Sequence, residues 1–235
     1  MQHITTEAGV LFDVARDGYA RSGQGARDHR HDFAALTSIV FSACSLDAFI
    51  NEAGLLASEA INPTNPSSVT LFGAQWQEAW KKKKGSHTKF KLAKETFTGT
   101  PYDKDKRPFH DFLLLMDVRD ALVHHKPRVE TVGRVMRKID PSVWADLDRL
   151  RAEIEREPLF SEPKPEGSLL DRLPQDILRA AQRGVTWMVR LSTKDAAGWA
   201  CNTAAEMVQD FITFVPECPF KIGLRVHHAS KFQRV

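Results

Sequence analysis

Arg119 and His124 stand five residues apart in the segment DVRDALVHHKP (residues 117–127), which continues the apolar run FLLLMDV. A guanidinium keeps its proton at any physiological pH, whereas an imidazole titrates near neutrality. Together they supply a charge stabiliser and a proton carrier, two groups that RNA cleavage without a metal can use. An unpaired charge among apolar side chains costs roughly several kcal/mol, so Arg119 needs an anion, either a carboxylate or a bound phosphate.

On a helical wheel Arg119 shares a face with Phe112, Leu115, Met116 and Val123, and the other side carries Leu114, Val118, Ala121 and Leu122. A helix that is apolar on both sides is central to a core or shared with a second subunit. His124 lies about 140° round from Arg119, so the two converge only on a cleft across the helix end or between subunits. Asp120, four residues before His124, is placed to accept an imidazole N–H. The plainer reading is that His124, His125 and Lys126 are cations favoured at a helix C-terminus by the macrodipole.

Asp47 and Asn51 form a polar pair one turn apart beside the apolar stripe of an earlier helix. Asp47 is a candidate carboxylate for Arg119, with Asn51 or Glu52 lining the same cleft, although Glu52 projects to a different side from Asp47. The alternative makes all three solvent-facing. Trp76 and Trp80 precede Lys81, Lys82, Lys83 and Lys84, either an RNA-backbone patch with stacking platforms or a solvated helix end with Trp in the core. His29 and His31 lack a ligand spacing, and the chain contains no H-E-x-x-H, no C-x-x-C, no P-loop and no G-x-G-x-x-G. Neither a metal nor a cofactor is expected.

The elements that must position these residues read as helices. Residues 5–21 form a first helix, and 31–61 a long one in which Phe33, Leu36, Ile39, Ala43, Leu46, Ile50 and Ala53 recur at spacings of three and four. One or two shorter helices fill 69–98, divided near Gly85, and another spans 108–125 with Pro127 at its end. An Asp-Pro cap opens a helix at 140–155. Residues 173–193 and 194–215 supply two further amphipathic helices, and 216–235 reads as a basic, irregular tail. No strand pattern appears, so the expected fold is all-α, a helical bundle in a single domain: a core at about 30–130, a helical extension at about 140–215, and the tail.

Composition narrows the setting. The formal charge of +3 permits a nucleic-acid partner without demanding one. No uninterrupted apolar run of membrane-spanning length and no signal-peptide pattern occurs, so no membrane association is expected. Cys44, Cys201 and Cys218 are widely separated, which fits a reducing cytoplasm rather than a disulfide framework.

The segment DVRDALVHHKP resembles the signature of HEPN domains, the α-helical domains of many prokaryotic toxins and defence ribonucleases, with Arg119, Asp120 and His124 in the places of its Arg, polar residue and His. SACSLDAFINEAG (42–54) is similar to the long first helix of such proteins, and the resemblance covers residues 30–130. It implies an HEPN-type bundle and a homodimer whose paired Arg/His sets form a cleft for RNA. It also implies a metal-independent endoribonuclease of a toxin–antitoxin or phage-defence system, with an antitoxin or regulatory protein as a further partner. His125 satisfies a looser form of the motif. Lys126 stands where one subgroup carries the tyrosine modified during neutralisation, so that mode of control is not expected. The other reading of the same resemblance is a non-catalytic module that binds RNA or a nucleotide, or scaffolds a protein.

Overall fold

The computed structural model describes residues 7–24, 31–59, 67–124, 169–180 and 186–235. Every regular element among them is helical. In chain order these are α1 (Glu7–Arg21), α2 (Phe33–Glu59), α3 (Ser68–Lys81), α4 (Ser86–Thr98), α5 (Phe109–Val123), α6 (Leu169–Arg172), α7 (Trp187–Leu191), α8 (Lys194–Phe214) and α9 (Pro219–Leu224). A 3-10 turn at Gln175–Ile177 follows α6, and a π-helical turn at Arg225–Ala229 follows α9. The helix expected at 140–155 lies outside the described residues.

α2 is the axis of the assembly. By length and composition it could cross a bilayer, but it packs against α1, α3, α4, α5, α8 and α9. Side chains on several of its sides are buried, among them Ala35, Ile39, Ala43, Leu46, Phe49, Ile50 and Ala53. Small residues let neighbours approach. A Cβ at Gly18 of α1 would lie 2.8 Å from the Ala34 carbonyl, and one at Gly73 of α3 would lie 2.6 Å from the Ala57 carbonyl, so neither crossing admits a side chain. On the α8 side Cys201 Sγ sits 3.3 Å from Ser38 Oγ and accepts a hydrogen bond from Ser42.

α8, which the sequence places in an extension, lies in the same core. Phe211 meets Phe49, Phe72, Phe90, Phe97 and Phe214 at centroid separations of 5.1–6.4 Å. α5 joins through Phe112, whose ring is 5.0 Å from Phe90. Leu114, Leu115 and Val118 are buried, and exposure rises along the last turn to 54% at Val123. α5 is thus a core helix whose C-terminal end emerges at the surface, and that geometry presents Arg119 near a rim. Arg172 of α6 holds the outer side of α5 through Asp117 at 2.9 Å.

Two expectations are corrected. Residues 173–193 do not form one amphipathic helix. Pro174 removes a backbone donor at the start, and the Arg179 N–H donates to the Arg190 carbonyl at 2.9 Å while Arg190 Nε donates back to the Arg179 carbonyl at 3.1 Å. That exchange sets two short helical pieces side by side. Nor are residues 216–235 an irregular tail: Leu224, His228 and Phe232 are completely buried. Phe232 stacks on Phe12 at 4.4 Å, and Gln209 of α8 donates to the carbonyls of Ala229 and Phe232. The basic residues are partly spent on distant acids, Lys231 on Asp13 and Arg234 on Glu206.

The C-terminal segment therefore contributes to global stability. Phe232→Ala should lower the unfolding free energy by about 3–5 kcal/mol, the range for a fully buried phenylalanine. Urea denaturation checks this, and a loss below about 1 kcal/mol would mean the ring is not part of the core.

Candidate functional site

The centre of the site is Arg119, whose side chain is 23% exposed. Nη2 lies 3.2 Å from Asp47 Oδ2 of α2, and Nε lies 3.0 Å from Asp120 Oδ1. The Nε–H does not point along the second approach, which leaves it a buried donor without a hydrogen bond. α5 supplies the guanidinium where its C-terminal half rises toward the surface, and α2 supplies a carboxylate from inside the bundle. Asp47 is thus the partner the apolar setting of Arg119 calls for. Arg presents five donors, more than these two carboxylates engage.

Asp120 does not hold His124 through its carboxylate, which is turned to Arg119. The bond between the two residues is in the backbone, from the His124 N–H to the Asp120 carbonyl at 2.9 Å, as the helix closes. An i, i+4 spacing allows the imidazole contact, but the guanidinium next in sequence competes for the same oxygens and wins on charge. His124 is exposed at the end of α5, free to reach an outside substrate. His125 and Lys126 lie outside the described residues.

Asn51 and Glu52 go separate ways. Asn51 Oδ1 accepts from Lys89 Nζ of α4 at 2.7 Å, one turn along α2 from Asp47. Glu52 leaves the Arg119 cluster altogether. Its Oε1 accepts the Ala8 N–H at 2.8 Å, satisfying an orphan donor in the first turn of α1. Its Oε2 is buried 3.5 Å from Nε2 of His228, a fully buried ring that stands perpendicular to Phe49 with centroids 5.1 Å apart. Burial pushes the Glu52 carboxyl up, against the pull of the Ala8 and Glu7 amides. Burial, with a smaller effect of His227, pushes His228 down to about 4.

Lys81, Lys82, Lys83 and Lys84 are exposed at the end of α3 and in the turn beyond it. The two tryptophans before them divide: Trp76 is 6% exposed and packs on Gly54, Trp80 is 54% exposed. The core reading thus holds for Trp76, while Trp80 lies at the surface with the lysines.

Two members of the site were not anticipated from sequence. Cys44 stands three residues before Asp47 on the same face of α2. Its thiol is pushed up by burial, an effect Arg119 opposes and Asp47 reinforces, so it is no ready nucleophile. Lys89 is buried beside Asn51, and its ammonium is pushed down by burial while Asp47 opposes the shift. The available signal for Lys89 was a lysine at a core register of α4, next to Phe90 in HTKFKLAK. Among the described residues no group of three or more His, Cys, Asp or Glu side chains could hold a metal ion.

Comparison with protein-family models, with curated proteins and with solved structures finds no match for this chain.

The buried imidazole gives a signed prediction. A histidine held below its unfolded value stabilises the fold fully above about pH 6.5, and that contribution drains away as pH falls toward about 4. Glu52, raised by burial, works in the opposite sense, but it remains in both proteins of the comparison. The stability of the wild type relative to His228→Leu should fall by about 2 kcal/mol between about pH 7.5 and about pH 5. Chemical denaturation at both values checks this; a constant difference would mean His228 is not held neutral.

Proposed function

We propose that this chain is an HEPN-like, metal-independent endoribonuclease that acts on RNA in the cytoplasm as a homodimer, in the role of a toxin or phage-defence effector. One observation carries the reading: Arg119 is held about three-quarters buried between α5 and α2, five residues before an exposed histidine at the open end of the same helix. A purely structural reading takes Arg119 as an ion pair and His124 as a helix-end cation, two separate accounts where the nuclease reading needs one.

In the proposed reaction the ribose O2′ attacks the adjacent phosphorus. His124 accepts the hydroxyl proton as the O2′–P bond forms. The P–O5′ bond breaks, and the second His124 of the dimer protonates the departing O5′. Arg119 donates to the phosphoryl oxygens as charge builds on them. The products are a 2′,3′-cyclic phosphate and a 5′-hydroxyl end. Asp47 orients the guanidinium, and an antitoxin or regulatory protein would act by covering the composite cleft.

A second reading has its own support. Arg119 is already flanked by two carboxylates, and the Asp120 carboxylate is not on His124. That arrangement suits a non-catalytic HEPN-like module that binds RNA or a nucleotide, or scaffolds a protein.

Purified protein incubated with RNA in EDTA separates the two. Under the nuclease reading, cleavage leaves 5′-hydroxyl ends that a kinase labels without prior dephosphorylation. Arg119→Ala and His124→Ala each lower the rate by about 100-fold or more while circular dichroism shows both variants folded at the assay temperature. His125→Ala run in parallel identifies the working histidine. Intact RNA after prolonged incubation, or a strict monomer in solution, removes the enzyme reading and leaves the binding module.

A further inference from the structure

The Arg119 cluster leaves unexplained a second concentration of unusual side chains at the far end of α3. Trp80 keeps 54% of its surface exposed although Trp76, one turn earlier, is buried. The two rings lie 5.4 Å apart, inclined at 30°. Trp76 is fixed by α2, since a Cβ at Gly54 would fall 2.2 Å from its indole. Lys89 then reaches across from α4. Its ammonium sits 4.6 Å from the centroid of the Trp80 ring and 5.9 Å from that of Trp76, while donating to Asn51. Trp80 is thus braced by a buried neighbour and a buried cation, and its exposed surface is held in place.

Four lysines follow directly. A helix C-terminus favours cations, which accounts for some of that charge. Among the described residues only Lys82 has a carboxylate partner, Glu78 at 2.6 Å. Lys83 has a φ of +53°, its N–H bonded to the Trp80 carbonyl, and the Lys84 N–H is bonded to the Ala79 carbonyl. The backbone therefore wraps tightly round the end of α3, which keeps the exposed Lys81, Lys83 and Lys84 within one turn of Trp80. An acidic peptide would use those ammonium groups and leave the indole idle. A single-stranded nucleic acid uses both, a base on the ring and phosphates on the lysines.

We propose that Trp80, with Lys81, Lys83 and Lys84, forms a subsite that stacks one base of single-stranded RNA and grips the phosphates flanking it. The strip Lys89–Asn51–Asp47 leads from this subsite along α2 to Arg119, so the subsite holds the substrate at a distance from the reacting phosphate. The assignment to RNA rests on the function proposed above; the stacking platform and the phosphate grip rest on their own geometry.

The test measures binding apart from cleavage. The probe is a short fluorescein-labelled uridine oligomer, 2′-O-methylated throughout so that no 2′-hydroxyl can attack, followed by fluorescence anisotropy. Trp80→Ala should weaken binding about 10-fold without changing the dependence on salt, and Trp80→Phe should restore most of it. Lys81→Ala, Lys83→Ala and Lys84→Ala combined should weaken binding and reduce the slope of log K against log salt by about 2. Melting temperatures of the variants verify that the α3 end remains folded.

Equal binding by wild type and Trp80→Ala overturns the subsite, as does failure of the wild type to bind the oligomer. Complete competition by polyglutamate, with no dependence on Trp80, overturns it in favour of an acidic protein partner. The outcomes separate from those for the nuclease. Trp80-dependent binding by a protein that cleaves nothing upholds the subsite and removes the enzyme. Cleavage dependent on Arg119 with Trp80→Ala indistinguishable from wild type does the reverse.

Discussion

Because α2 is packed against by six other helices, its polar side chains on the inner faces must find partners on those neighbours. Three do so within six residues. Asp47 takes Arg119 from α5, Asn51 takes Lys89 from α4, and Glu52 takes the Ala8 amide from α1 with His228 close by. Burying a carboxylate or amide without such partners would cost roughly several kcal/mol apiece. The helix therefore dictates where two cations and one helix start must lie. The candidate site is the solvent-facing edge of that arrangement. Its neighbours are held by the need to satisfy α2 as much as by contact with any substrate.

This constraint explains which expectations were legible in the sequence. Helical periodicity located α2 and α5 to within two residues at each end, because both are long and apolar enough for the pattern to dominate. The pairing of Asp47 with Arg119 could be reached because a charge on an apolar helix has few ways to be neutral, and one carboxylate stood at the right register. Glu52 could not be assigned in the same way. It differs from Asp47 by five positions, but its partners come from the N-terminal helix and a histidine about 175 residues later, which no local pattern connects.

The misread segments fail for related reasons. Residues 216–235 carry four Lys or Arg against a single acid and two prolines near their start, so the sequence suggests a basic, irregular tail, yet Phe232 and His228 are placed on Phe12 and Phe49 by contacts across almost the whole chain. The pattern at 173–193 is amphipathic enough to suggest one helix, and the backbone exchange between Arg179 and Arg190 overrides it. Trp76 and Trp80 are identical in type and one turn apart. Trp76 is the one that fills the space left by the missing side chain at Gly54.

The charge state of the Arg119 cluster bears on how it could work. One guanidinium between two carboxylates leaves a formal net negative charge, which repels a phosphate until one carboxylate yields. The two are not equivalent. Asp47 is 32% exposed and anchored on the central helix, whereas Asp120 is 59% exposed on the rim of α5. An ion pair as exposed as the second contributes about 0–1 kcal/mol, so an incoming phosphate can displace it at little cost. Under the proposed reaction the Nε–H, buried and without a hydrogen bond, would be one donor to the phosphoryl oxygen once Asp120 has moved aside. Asp47 remains to hold the plane of the guanidinium. Asp120 is better understood as a counter-ion for Arg119 than as the group that orients His124, so the proposed reaction would need the substrate or a second subunit to position the histidine.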